Sequence, residues 1–216
     1  LEKELMNFAK LVTITPNAEA HIAYCARVSS PNQENREYEK LLRYCIRKKH
    51  WSIFEMAHMV VEINTTRAIS AQILRHRSFS FQEFSQRYAP VPQTIYLPLQ
   101  RMAGATNRQS SLDLPDELTE SQEKAYNDAN DAVIRAFDAY QCLLANGFAT
   151  ETARMVLPMS SSTRLYMAGN IRDWLHYVDV RTQDDTQAEH RVIANDIKLI
   201  IEEQLPTIHE AMWGKD

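Results

Sequence analysis

Glycine is nearly absent from this chain: Gly104, Gly147, Gly169 and Gly214 are the four in 216 residues. Glycine lets a backbone turn tightly and approach a phosphate, which is why nucleotide fingerprints are built on it. These four lie too far apart for a G-x-G-x-x-G turn or a P-loop. Any phosphate the chain holds must therefore be held by side chains.

The cations are distributed to suit that task. Arginine outnumbers lysine 16 to 8. Between Asn64 and Arg101 there are five arginines, one glutamate and no lysine; from Arg154 to Arg191 there are again five arginines and no lysine. A guanidinium is a planar fork that grips phosphates and carboxylates bidentately, whereas an ammonium is a point charge. Structural ion pairs are the alternative use. The second cluster has five acidic residues for that, and the first has Glu83 alone. The net charge of −4 and pI of about 6.0 argue against a general nucleic-acid binder. A hydrophobic fraction of 44% supports a core, and 216 residues fit one domain, 1–216. No apolar run is long enough to span a bilayer, and LEKELMNFAK has no apolar signal core, so the expected setting is the cytoplasm. Cys25, Cys45 and Cys142 are odd in number and widely spaced. They suggest neither a disulfide framework nor a metal site, and each reads as a small buried hydrophobe.

Periodicity predicts an α+β fold: a central, mainly antiparallel sheet with flanking helices in a single domain. Strands are expected at 11–15, 59–65 and 162–168. Helices are expected from Asn17 to about Val28, over 34–49, from Thr65 or Thr66 to near His76, and over 119–146 with Gly147 just beyond. Further helices are expected after Thr150, from Asn170 to about Val180, and from a Thr186/Glu189 capping box onward. Residues 88–112 contain Pro90, Pro92, Pro98 and Gly104 and read as a long irregular excursion.

The densest chemistry is RHRSFSFQEFSQRY, Arg75 to Tyr88. One cation at a helix C-terminus is explained by the macrodipole; three in a row followed by spaced polar residues are not. In an extended segment Glu83, Ser85 and Arg87 share a face. A carboxylate, a hydroxyl and a guanidinium together suit a nucleotide; a structural polar network is the other reading. Downstream, Arg172 and His176 stand four apart on one helix face beside the capping Asn170, and Arg181 falls just past the helix end.

Arg75-His76-Arg77, seven residues, then Ser85, continuing to Arg87-Tyr88, resembles the signature of flavin-dependent thymidylate synthases. The likeness extends to CARVSS around Arg27 and Ser29, HWSIFEMAH from His50 to His58, Gln72, ARMVLP at Arg154, and NIRDWLHYVDVR from Asn170 to Arg181. Gln82 departs from the family's usual asparagine by one methylene. The resemblance implies reductive methylation of dUMP to dTMP, with methylenetetrahydrofolate as one-carbon donor and NADPH-reduced FAD as hydride source. No enzyme cysteine attacks the uracil in this family. Carried over by position, Gln72, Arg75, Glu83, Ser85, Arg87, Arg154 and Arg181 hold dUMP, and Arg181 is the catalytic residue that polarises the uracil. Ser52, Arg75, His76, Arg77, Glu83, Asn170, Arg172 and His176 hold FAD, and no metal is implied. The family's homotetramers share sites between subunits. The rivals are a non-catalytic nucleotide-binding module and a related flavoprotein with another substrate.

Overall fold

The computed structural model describes residues 7–91, 101–104 and 111–214. About 52% of the chain is helical, and four strands form an antiparallel sheet, so the α+β expectation holds. The strands are β1 (Phe8–Ile14), β2 (His58–Thr66), β3 (Ser80–Glu83) and β6 (Ser162–Asn170), in the order β1-β2-β6-β3. A separate ribbon pairs β4 (Met102–Ala103) with β5 (Ser111–Leu112), Met102 opposite Leu112. That ribbon lies inside the stretch expected to be irregular; the rest of that expectation falls partly on 92–100 and 105–110, outside the described residues.

The helices are α1 (Ala18–Ala26), α2 (Glu39–Arg47), α3 (Arg67–Ile73), α4 (Glu120–Ala145), α5 (Thr150–Ala153), α6 (Ile171–Arg181), α7 (Ala188–Gln204) and α8 (Pro206–Trp213), with 3-10 turns at Trp51–Met56 and Arg154–Val156. Several starts are chemically legible. Thr66 caps α3 by accepting from the Ile69 amide. Thr119 and Gln122 form a reciprocal capping box on α4, and Gly147 follows its end at φ 79°. Asn170 caps α6 by accepting from the Asp173 amide at 2.9 Å.

Other starts differ from expectation. α2 begins at Glu39 rather than residue 34. The Asn35 side chain accepts from the Glu37 amide, and the Arg27 guanidinium donates to the Asn35 and Glu37 carbonyls. Those local bonds compete with the helix for the same backbone. Asn17 precedes α1 in the left-handed region at φ 50° and makes no side-chain cap. Thr150 is the first residue of α5, with Ala149 at the N-cap. The Thr186/Glu189 box does not form: Gln187 is the N-cap of α7, and the Thr186 hydroxyl donates to the Val180 carbonyl. Arg181 is the last residue of α6, not beyond it.

The chain divides into two compact units whose segments interleave. One contains Asn64–Arg75 and Glu83–Arg164, the other Asn7–Ile63, His76–Gln82 and Leu165–Asp216. In the first unit, Val91, Phe137, Tyr140 and Ala153 form a core joined by Phe84, Val133 and Leu157. The Tyr140 hydroxyl accepts from the Val91 amide at 3.0 Å, satisfying both in the interior. The second unit is larger in its buried apolar content. Met59, Val61 and Ile63 alternate inward on β2, as Leu165 and Met167 do on β6. Trp174, Tyr177 and Val178 of α6 and Ile193, Ile197 and Ile201 of α7 are also buried. Phe79 packs edge-on to Trp174 at 4.7 Å. A β-carbon on Gly169 would meet the Phe79 ring at 2.5 Å, so only glycine admits that close approach.

Candidate active site

The first unit carries Gln72, Arg75, Glu83, Ser85, Arg87 and Arg154. They do not share one face. β3 stops at Glu83, and a turn follows in which the Ser85 carbonyl accepts from the Tyr88 and Ala89 amides, both at 3.0 Å. The period-2 alternation expected to align Glu83, Ser85 and Arg87 ends there. Glu83 is drawn into a half-buried network: Ser70 Oγ, Thr163 Oγ1 and Arg67 Nη1 all converge on its Oε1. Ser85 and Arg87 instead border an open cleft of about 550 Å³ with Tyr88, Thr150 and Glu151. Arg87 Nε donates to Glu151 Oε2 at 2.9 Å, with the two side chains 71% and 52% exposed. At that exposure the pair contributes about 0–1 kcal/mol, so an anionic ligand can take over the guanidinium at little cost. Arg154 is half-buried and donates to the Glu151 carbonyl at 3.3 Å. Arg75 is exposed just after α3, and Gln72 is half-buried within it.

The second unit carries Ser52, His76, Arg77, Asn170, Arg172, His176 and Arg181. A cleft of about 530 Å³ is lined by Trp51, Ser78, Arg172, Asp173, His176 and Met212, among others. Arg172 and His176 do share a helix face, as their spacing requires. Arg172 pairs with Glu55. Burial pushes the Asp173 carboxyl above its ordinary value, with Arg172 pulling the other way. Ser52 lies exposed on the 3-10 turn beside Trp51, and Arg77 is exposed on the turn before β3.

His76 and Arg181, 105 residues apart, meet directly: Arg181 Nε donates to His76 Nε2 at 3.0 Å. An accepting Nε2 carries no proton, so the His76 proton sits on Nδ1 and the ring is neutral. Burial, then the charge of Arg181, pushes the His76 pKa down to about 4, which agrees with that tautomer. The consequence is chemical. A carboxylate partner would orient the guanidinium and quench its charge; a neutral imidazole orients it and leaves the charge available. Asp179, Asp184 and Asp185 stand close to Arg181 in sequence, but Asp184 pairs with Arg191 and Asp179 accepts from Trp213 Nε1.

Behind this pair stand residues that motif reading missed. Tyr177 is fully buried, and its ring lies edge-on to His76 at 4.9 Å. Its hydroxyl bonds His190 Nε2 at 3.0 Å, and His190 is itself fully buried. Tyr177 was predictable only as a core aromatic on α6. His190 carried no motif signal, because it is a histidine within an ordinary amphipathic helix.

The Thymidylate synthase complementing protein family matches residues 10–207. A flavin-dependent thymidylate synthase of Synechocystis sp. is 51% identical over 195 residues, covering 90% of this chain and 89% of that one. The probable flavin-dependent thymidylate synthase of Paramecium bursaria Chlorella virus 1 is 45% identical, covering 94% and 98%. This chain belongs to the flavin-dependent thymidylate synthase family. A solved structure of the UMP/dUMP methylase PolB from Streptomyces cacaoi, bound with 5-Br dUMP, matches it with a TM-score of 0.80 at 28% identity, covering 95% of this chain and 94% of that one.

Family membership implies a flavin, and the second unit's cleft has chemistry that fits one. Arg172, His176 and Ser78 offer donors for phosphate and hydroxyl groups, while Trp51, Leu175 and Met212 offer apolar wall. Among the described residues, no cluster of three His, Cys, Asp or Glu could hold a metal ion, and no helix is long and apolar enough to cross a membrane. The cysteines differ from one another: Cys45 is buried as expected, Cys25 is half-buried and Cys142 is exposed.

Proposed function

We propose that this chain catalyses the reductive methylation of dUMP to dTMP, with methylenetetrahydrofolate as one-carbon donor and NADPH as the source of reducing equivalents. The observation that carries this reading is Arg181, an oriented and unquenched cation held by the middle residue of the Arg75-His76-Arg77 signature. FAD, when bound and reduced, supplies the hydride that completes the methyl group.

The chain's own residues do the rest. Arg87 and Arg154 hold the nucleotide's phosphate and neighbouring oxygens. Gln72, Arg75, Glu83 and Ser85 position its sugar and base. Arg181 stabilises the negative charge that develops on the uracil ring as carbon 5 becomes a nucleophile, and lowers the ring's pKa in doing so. Ser52, Arg75, His76, Arg77, Glu83, Asn170, Arg172 and His176 hold FAD. Asn170 sets the start of α6, which carries Arg172 and His176 towards the cleft. Residues 1–216 act as one catalytic domain of a homotetramer that combines residues from several subunits in each site, and the enzyme works in the cytoplasm.

Purified protein titrated with FAD, followed by a dUMP-dependent assay of dTMP formation, tests the reading. Stoichiometric flavin uptake and dUMP-dependent turnover are expected. Absence of flavin binding in both redox states overturns it, and light scattering that gives a monomer mass with FAD bound overturns the tetramer. A second reading comes from the PolB structures, one of which is bound with 5-Br UMP: the substrate would be UMP. Parallel assays with dUMP and UMP separate the two.

A further inference from the structure

A histidine, His190, and a tyrosine, Tyr177, cluster around His76 in the second unit, and of the three only His76 belongs to the Arg75-His76-Arg77 signature. Burying polar groups is costly unless they are paired, and here the pairing is specific. The Tyr177 hydroxyl and His190 Nε2 lie 3.0 Å apart, with both residues fully buried. The Tyr177 ring sits 4.9 Å from the His76 ring at 72°, and the His190 ring sits 6.5 Å from it at 90°. His76 Nε2 then accepts from Arg181 Nε at 3.0 Å. His190 is on α7, whereas Tyr177 and Arg181 are on α6 and His76 follows α3.

We propose that His190 is a positioning residue for Arg181, acting through Tyr177 and His76; its catalytic consequence rests on the role of Arg181 given above. The His190 bond fixes where the Tyr177 hydroxyl sits and so the tilt of the ring's long axis. That ring is the wall against which the His76 imidazole stands. The imidazole, held in one orientation and one tautomer, fixes the direction of the Arg181 guanidinium. Burial first, and then the charge of Arg181, push His190 down to about 3, so it remains neutral beside Tyr177 near neutral pH. None of His190, Tyr177 and His76 carries a negative charge that would quench Arg181. A phenylalanine and an aliphatic residue would fill the same space without fixing that tilt, which separates positioning from packing.

The test uses Tyr177→Phe, His190→Leu, their double variant and His190→Gln in the full enzyme. The first readout needs no turnover: hydrogen exchange of the Arg181 Nε–H by NMR in flavin-free protein. Exchange is slow in the parent and accelerates in both single variants and the double. In turnover the same three lose about tenfold in kcat with nucleotide KM unchanged, and the double is no worse than either single. His190→Gln, which can still bond the hydroxyl, recovers most of the rate. If the double variant folds with parental exchange and parental kcat, His190 and Tyr177 merely satisfy each other and the proposal falls. If exchange accelerates while neither these variants nor Arg181→Ala slow turnover, the positioning chain stands and the catalytic reading of Arg181 is what fails.

Discussion

Arg181 and Arg87 are both arginines in family segments, yet the structure holds them in opposite ways. Arg181 is half-buried at the end of α6, fixed by a neutral imidazole and backed by buried aromatic rings. Arg87 is exposed on a turn, bonded to a carboxylate that is itself more than half exposed. The first arrangement costs nothing to reorganise when charge appears beside it, which suits a group needed in the transition state. The second is a weak pair that a phosphate can replace, which suits a group needed equally before and during reaction. In the proposed mechanism the partner, imidazole or carboxylate, decides which job each cation does.

The sharpest way to break this comparison is to remove each guanidinium. Arg181→Ala should lower the single-turnover rate of flavin oxidation by at least about a hundredfold, about 3–4 kcal/mol, while the dUMP dissociation constant changes little. A variant that turns over saturating dUMP at the parental rate would reduce Arg181 to a structural residue. Arg87→Ala should do the reverse: about ten- to a hundredfold weaker dUMP binding by calorimetry, from the loss of one charge-assisted contact, with the saturated rate nearly intact. If the two variants gave the same pattern, the difference in their surroundings would have no functional meaning.

Acid should find the second unit first. His76 and His190 are held near 4 and 3, below the ordinary histidine value of 6.5, chiefly by burial. The unfolded chain therefore binds more protons than the folded one below about pH 6.5. Their stabilising contribution is whole above that pH and is lost progressively as pH falls towards 4 and then 3. The slope is at most about 1.4 kcal/mol per pH unit for each group. Melting temperatures from pH 7 to pH 4 should fall more shallowly for His190→Leu than for the parent; an unchanged slope would mean His190 does not contribute to it.

The smallest effect is expected from the cysteines. Serine at Cys25 and Cys142 should leave both stability and turnover near parental values. Alanine at buried Cys45 should cost about 1 kcal/mol of stability, read from urea midpoints. A folded cysteine-free protein with no dTMP formation would overturn the mechanism proposed for this chain.

Local signals carried much of the fold. Thr66, Thr119 and Asn170 start helices because each side chain reaches the amide three residues on, and Gly147 follows a helix because it tolerates positive φ. Arg172 and His176 meet one cleft because four residues make about one turn. The start of α2 was less legible, since Arg27 reaches across to hold the backbone at Asn35 and Glu37. Glu83 was misplaced among its neighbours because the strand ends where Phe84 donates to the Arg164 carbonyl and the chain turns. By itself the sequence determined that side chains, not a glycine loop, must hold any phosphate, and where the arginine-rich segments lie. Only the tertiary structure decided that Arg181 faces His76 rather than an aspartate, and that His190 stands behind both. Capping and helical spacing act between residues a few positions apart, so they are written in the sequence. The partner of a buried charge is set by which distant elements pack together, and so by the whole fold.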